Sequence, residues 1–288
     1  MVFIKITMKT RHILLFSFLT TLLLISCTST ASKEESSRAV ITENVDNTSK
    51  EAEDIVEEKI VNPAEVILQK KEVPILCYHR IEDGRNDIYS VSRDIFASHL
   101  QVLADSGYNS ILPNQLYDYL VHNATLPDKP FMISFDDSRA EHYTIAAPEL
   151  EKRNFRGVFF IMTVTNNKKN YLSTDEITEL SNRGHTIGLH SWDHVMATKY
   201  SDSTIWEKQV YAPKKKLEDM IGKPIHYWAY PNGVYNREAA MELDKHFKLS
   251  FILLTKRDSI YPLQTIRRMI VPSDSPERLL RRMDSTYN

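Results

Sequence analysis

Glycine is scarce in this chain, at 7 of 288 residues. No G-x-G-x-x-G follows any apolar run, which argues against a dinucleotide-binding sheet and against phosphate-cradling loops in general. Cysteine is scarcer still. Of the two present, Cys27 lies in the N-terminal segment and Cys77 is left alone, so hydrophobic burial rather than a disulfide framework must hold the fold. An excess of one charge is also missing, with 36 Lys+Arg against 38 Asp+Glu. Setting aside residues 1–27, which carry three basic and no acidic side chains, leaves 33 against 38, a net of −5. That balance does not suit a polyanion, and nucleic acid is set aside as a partner. No apolar run reaches the roughly 20 residues that a spanning helix needs.

What is present begins with a targeting pattern. Lys5, Lys9 and Arg11 precede an uncharged, largely apolar run from Ile13 to Ile25, closed by Leu24-Ile25-Ser26-Cys27. A basic start, a short apolar core and small residues near a cleavage point read as a secretory signal over residues 1–27. Its ending resembles a bacterial lipobox, which implies lipid attachment at Cys27 and a membrane-anchored place in the cell envelope. Thr28 offers no inner-membrane retention signal, pointing to the outer membrane in a host with two. Residues 28–71 are expected to be a polar tether. Residues 28–62 are rich in Ser, Thr, Glu, Lys and Asn with no aromatic residue, too polar to offset their ordering entropy. One domain, acting as a monomer, is expected over 72–288.

From Val73 onward, strand-like runs alternate with helix-like segments. Strands are expected over 73–78, 108–112, 130–135, 158–161, 186–189, 225–229, 249–254 and 265–271. Between them the 3.6-residue period of Ile95, Phe96, His99, Leu100 and Leu103 predicts a helix stopped by Gly107. Pro113 opens the next, Pro148 bends a third, and Pro213 falls inside a long one over 203–221. This alternation indicates a parallel α/β architecture, and a closed or distorted (β/α) barrel fits it better than an open sheet.

In such barrels chemistry sits at the C-terminal ends of the strands. The third strand ends Phe135-Asp136-Asp137-Ser138. Adjacent carboxylates repel unless something compensates. Either one binds a metal while the other takes a proton, or the pair lies in a solvated turn or caps a helix. The fifth strand ends His190-Ser191-Trp192-Asp193-His194. Histidines four apart can converge on one ion, or divide between core and surface. Taken together, Asp137, His190 and His194 offer two nitrogens, one oxygen and open positions, the requirement of a hydrolytic zinc centre.

Phe-Asp-Asp after an apolar strand, then His-Ser-x-x-His about fifty residues on, resembles the polysaccharide deacetylase (NodB-homology, carbohydrate esterase family 4) family. Pro74-Ile75-Leu76-Cys77-Tyr78-His79-Arg80-Ile81 resembles the opening strand of its branch of poly-N-acetylglucosamine deacetylases. Tyr227-Trp228-Ala229-Tyr230-Pro231-Asn232-Gly233 resembles that branch's third motif. The resemblance spans most of residues 72–272 and implies a distorted α/β barrel with a divalent metal. It puts Asp136 at the catalytic base and Asp137, His190 and His194 at the metal ligands. The Asn232 N–H after Pro231 falls at an oxyanion donor, and Trp192 and Tyr230 fall along the sugar groove, with core packing their alternative.

Departures accompany the match. Ser138 stands where the family has Gly, and Ala229 where many members carry an Arg that orients the base. Either Arg267 or Arg268 could replace that arginine. Alternation turns only one inward, and the branch resemblance favours Arg268. No late Leu-x-His motif is visible, so His79 becomes the candidate general acid, an ordinary structural histidine being the alternative. The function expected is metal-dependent removal of N-acetyl groups from an N-acetylglucosamine-type polysaccharide, with Zn2+ as cofactor and Co2+ or Ni2+ as options. A glycan-binding lipoprotein of weakened activity, or a metal-dependent esterase or amidase on another acylated substrate, is the alternative.

Overall fold

Runs that read as continuously apolar fold as parallel strands covered on both faces. The computed structural model describes residues 61–287, and the N-terminal signal, Cys27 and residues 28–60 of the expected tether lie outside the described residues. In chain order the strands are β1 (Ile75–Tyr78), β2 (Arg80–Ile81), β3 (Ser90–Val91), β4 (Asn109–Ser110), β5 (Pro130–Phe135), β6 (Val158–Ile161), β7 (Thr186–Leu189), β8 (Tyr227–Ala229), β9 (Leu249–Ile252), β10 (Ile266–Arg267) and β11 (Met269–Ile270). The helices are α1 (Ala64–Gln69), α2 (Arg93–Asp105), α3 (Pro113–His122), α4 (Ala147–Glu151), α5 (Thr174–Asn182), α6 (Ser203–Trp206), α7 (Ala212–Ile221), α8 (Arg237–Asp244) and α9 (Pro276–Tyr287).

The main sheet runs β10-β9-β8-β7-β6-β5-β1-β11, all parallel, with β4 paired to β5. Its two ends belong to one chain segment. Ile266 and Arg267 register on Phe251 and Ile252, while Met269 and Ile270 register on Leu76 and Cys77. The single strand expected over 265–271 is therefore two, broken at Arg268, where the chain changes partner and nearly closes the sheet into a barrel. The barrel is distorted at β5, which pairs with β4 through Pro130 and Phe131 but with β6 through Ser134 and Phe135. The strand expected over 108–112 shrinks to two residues for that reason.

The period of two along each strand separates two cores. Ile75, Met132, Val158, Phe160, Ala229 and Phe251 belong to an inner cluster. Leu76, Tyr78, Ile133, Phe135, Phe159 and Ile161 belong to an outer one against the helices. Counting on from Met132, Ser134 and Asp136 also point inward.

The domain begins earlier than expected. Asn62 is buried, its backbone N–H donates to Val121 O at 2.8 Å, and its side-chain amide donates to Leu120 O at 2.8 Å. Ile67 of α1 is buried in the inner cluster. The tether therefore does not extend to residue 71: its last stretch is spaced to bury one apolar side chain and is folded onto α3.

Two helices carry a widened π turn, His142–Ala146 before α4 and Glu207–Tyr211 before α7. Each is followed by Ala-Pro, namely Ala147-Pro148 and Ala212-Pro213. A proline has no N–H for the carbonyl four residues back and its ring crowds that carbonyl; the local ladder loosens to i→i+5 instead of breaking.

Candidate active site

Five positions around the C-terminal mouth of the barrel hold left-handed backbone without being glycine: Asp137 (φ 74°), Ser138 (56°), Ser191 (64°), His194 (71°) and Asn232 (59°). Each such residue costs about 1–2 kcal/mol, and such costs gather where function fixes the geometry. Ser138 adopts the conformation a glycine would favour and adds a bond, its Oγ accepting from Met162 N–H at 2.7 Å. Ser191 Oγ likewise accepts from His194 N–H at 2.9 Å, setting the turn that brings the second histidine back over the first.

The structure brings Asp137, His190 and His194 together. Asp137 Oδ1 lies 3.6 Å from the Nε2 of each histidine, and the imidazole centroids are 4.9 Å apart. His190 is buried, and its Nδ1–H donates to the Ala229 carbonyl at 2.8 Å. That bond fixes the tautomer and leaves the Nε2 lone pair aimed at Asp137, a buried nitrogen with no hydrogen-bond partner. Burial pushes the His190 pKa down to about 4, so the ring is neutral and free to ligate. Two imidazole nitrogens, one carboxylate oxygen and a second-sphere carbonyl fit a divalent transition-metal ion.

Asp136 lies beside that group, fully enclosed. Arg268 grips it with both arms, Nη1 to Oδ1 at 2.7 Å and Nη2 to Oδ2 at 2.8 Å, while Nη1 also reaches Ser134 Oγ at 3.2 Å. Both side chains are 0–1 % exposed. Burial alone would raise the Asp136 pKa, but the Arg268 guanidinium outweighs it and holds the carboxyl well below the usual carboxylate range. Arg267 points elsewhere, pairing with Glu72.

A second group of potential ligands, Cys77, His79 and Asp136, also clusters within 4.8 Å. Its charge is already balanced by Arg268, and burial raises the Cys77 pKa well above that of an ordinary thiol. It therefore suits a hydrogen-bonded cluster better than a second ion: Cys77 Sγ–H donates to Asp136 Oδ2 at 3.6 Å, and Sγ lies 4.0 Å from His79 Nδ1. Burial lowers the His79 pKa, opposed by Asp136 and Asp137.

The remaining sequence candidates divide. Pro231 is buried and Asn232 exposed at the strand end, and Trp192 is half-buried. Tyr230 is fully enclosed, with its ring 6.3 Å from Trp228 and 6.1 Å from Tyr235, so it packs the core and does not line a groove. Two residues that sequence reasoning passed over are buried polar groups from the π turns. His142 Nε2–H donates to the His79 carbonyl at 2.6 Å, and Gln209 Nε2–H donates to Asp193 Oδ1 at 2.9 Å. The signal available for them was the Ala-Pro that follows each turn.

Residues 123–247 match the family model described as polysaccharide deacetylase. The protein named for a polysaccharide deacetylase in Bacillus subtilis, YxkH, is 26% identical over 173 residues, covering 60% of this chain and 61% of its own. The peptidoglycan-N-acetylglucosamine deacetylase PgdA of Listeria monocytogenes is 26% identical over 133 residues, 43% of this chain and 28% of its own. The chain thus spans less than two thirds of either relative. Among solved structures, the deacetylase PplD of Streptococcus pyogenes, in complex with acetate, superposes with a TM-score of 0.67 at 24% identity, over 75% of this chain and 98% of its own. IcaB from Ammonifex degensii gives 0.62 at 26% identity, over 75% and 98%. The matched segment spans Asp136 to His194 and the nearly closed parallel barrel is shared with these structures, so the part of this chain that carries the site is similar to polysaccharide deacetylases.

Proposed function

We propose that the protein is a metal-dependent hydrolase that removes N-acetyl groups from an N-acetylglucosamine-type polysaccharide at the cell surface or outside the cell, releasing acetate. The observation that carries this reading is the unpartnered, buried Nε2 of His190 facing Asp137 and His194, beside the Asp136–Arg268 pair. Asp137, His190 and His194 would hold the ion, Zn2+ best suiting the donor set and Co2+ or Ni2+ also compatible with it. When bound, such an ion supplies Lewis acidity and lowers the pKa of water to about 7.

That acidification matters for the base. A carboxylate gripped by a guanidinium accepts a proton reluctantly, so Asp136 works only toward a nucleophile already made acidic. Arg268 keeps Asp136 ionised and fixes both oxygens, leaving it ready without reorganisation. The Asn232 N–H would donate to the oxyanion as charge develops. His79 sits in the same buried cluster as Asp136, and its ring would return a proton to the departing amine. The carbonyl bond from His142 holds its backbone in place. The name of PgdA supports N-acetylglucosamine as the sugar. We further propose lipid attachment at Cys27, placing the domain on a membrane outside the cytoplasm. Among the described residues no helix is long and apolar enough to cross a membrane.

Of the three departures that support a binder, Ser138, Ala229 and the missing late histidine, the first two lose their weight here. Ser138 takes the left-handed turn, and Arg268 stands on the base in place of an arginine at 229. The test is acetate release from N-acetylglucosamine oligomers by the purified domain. Release is expected with Zn2+, abolished by chelator, restored on adding the ion back, and lost in Asp136→Asn. Activity undiminished after complete metal removal would overturn the reading.

A further inference from the structure

Beside the metal group lies a groove of about 280 Å3 lined by Thr163, Trp192, Lys208, Ala212, Pro213 and Lys216. Its floor is Trp192, which sits between the two histidines in sequence. Its walls are tied to the site loops by named bonds. Gln209, buried, donates to Asp193 Oδ1 at 2.9 Å and so joins the turn that carries Lys208 to the loop from His190 to His194. Val164 N–H donates to the Trp192 carbonyl at 2.9 Å, and Lys216 Nζ–H donates to the Thr163 carbonyl at 3.5 Å. The groove is therefore fixed relative to the metal group rather than draped over it.

Its charge is one-sided. On α7, Lys214 pairs with Glu218 and Lys215 with Asp219, each four residues on. Lys216, the next residue, borders both this groove and a neighbouring one shared with Lys215, Glu207 and Asp219, and forms no ion pair with a carboxylate among the described residues. Lys208 also lacks one; its Nζ rests 4.3 Å above the Trp192 ring. A cation held on an aromatic face keeps its charge while losing freedom. It also covers the face on which a neutral sugar would stack. Two unpaired ammonium groups converge here, on a chain that is acidic overall.

We propose that this groove receives a carboxylate carried by the sugar next to the one being deacetylated, so that the preferred substrate is an N-acetylated glycan bearing carboxylates rather than a neutral one. This rests on the hydrolase reading above and names the substrate class for that same site. Lys208 and Lys216 would bind the anion as point charges, without the planar fork of arginine. The contribution would be salt-sensitive, because both ammonium groups are exposed.

The test compares two soluble oligomers of equal length on the zinc-loaded protein: neutral N-acetylglucosamine, and alternating N-acetylglucosamine and N-acetylmuramic acid, whose lactyl ether carries the carboxylate. The carboxylated oligomer is expected to be favoured about tenfold in kcat/KM, or 1.4 kcal/mol, through KM, and less so in high salt. Lys208→Gln with Lys216→Gln should abolish the preference. Equal rates on the two oligomers, or a preference that survives the double substitution, would overturn the proposal. Should neither oligomer release acetate, the hydrolase reading fails. Equilibrium binding of the same two oligomers to the wild type and the double variant still decides the groove: a lysine-dependent preference supports it, and its absence refutes it.

Discussion

Removing both members of the Asp136–Arg268 pair should cost less than the two single losses added. The two side chains are 0–1 % exposed and joined by contacts of 2.7 and 2.8 Å. Breaking a buried pair from one side leaves an uncompensated charge, at a cost of about 3–5 kcal/mol, whereas replacing both members is often close to neutral. For a domain of this size about 1 kcal/mol moves Tm by roughly 2–4 °C. Arg268→Met and Asp136→Asn should then each lower Tm by about 6–20 °C. The double variant should fall less than the two losses added, with a coupling of at least about 2 kcal/mol. The pH dependence follows from the sign of the shift. The folded-state pKa of Asp136 lies below its unfolded value, so the pair stabilises the protein above about pH 4, and that stability is lost as pH falls through the folded pKa. In Arg268→Met burial is opposed only by the smaller effects of His190 and His79, so the carboxyl pKa rises and the sign reverses. Thermal unfolding of the four proteins without metal, at pH 7, pH 5 and pH 3, measures all of this. Strict additivity, or single-variant losses under about 1 kcal/mol, would refute the reasoning.

Ser138 and His185 give two further tests. Ser138→Gly relieves a left-handed side chain but forfeits the bond to Met162 N–H, so the terms offset and stability should change by under about 1 kcal/mol. Ser138→Ala keeps the strain, loses the bond and should cost about 1–3 kcal/mol in denaturant unfolding; equal losses in the two variants would contradict this. His185 is buried with its pKa lowered by burial; Nδ1 accepts from Gly157 N–H at 3.1 Å and Nε2–H donates to Glu151 at 2.9 Å. Its contribution is complete above about pH 6.5 and is lost as pH falls through the folded pKa. His185→Gln should flatten the slope of Tm between pH 7 and 5, and an unchanged slope would show that other groups set it.

Much of the scaffold was legible because its forces are local. The apolar runs and helical periods marked the order of elements, and alternation left one inward arginine to choose. What escaped depends on long-range pairing. Nothing near Arg268 says that the chain will leave one strand for another there, because β9 and β1 are remote in sequence. Tyr230 follows a strand end as a groove residue would, yet it packs against Trp228 and Tyr235, a contact no spacing encodes. His142 and Gln209 sit within helical patterns, where a polar residue reads as solvent-facing. Only the widened turns rotate them inward. At the metal group the opposite holds, since the ligands lie in two short motifs that carry their own turns.

The break at Arg268 also sets an order of assembly. The outer edges of β1 and β9 stay open until residues 266–270 arrive, and the same segment delivers the guanidinium that Asp136 needs. Contacts so distant in sequence close late in folding. The metal group can form earlier, from β5 through β8. A partly folded chain would therefore hold Asp137, His190 and His194 in place while Asp136 beside them still lacks its guanidinium. Losing the last strand by proteolysis would silence the site before it dismantled the ligand set. The barrel's seam thus acts as a completeness check, admitting chemistry only once the chain has gone all the way round.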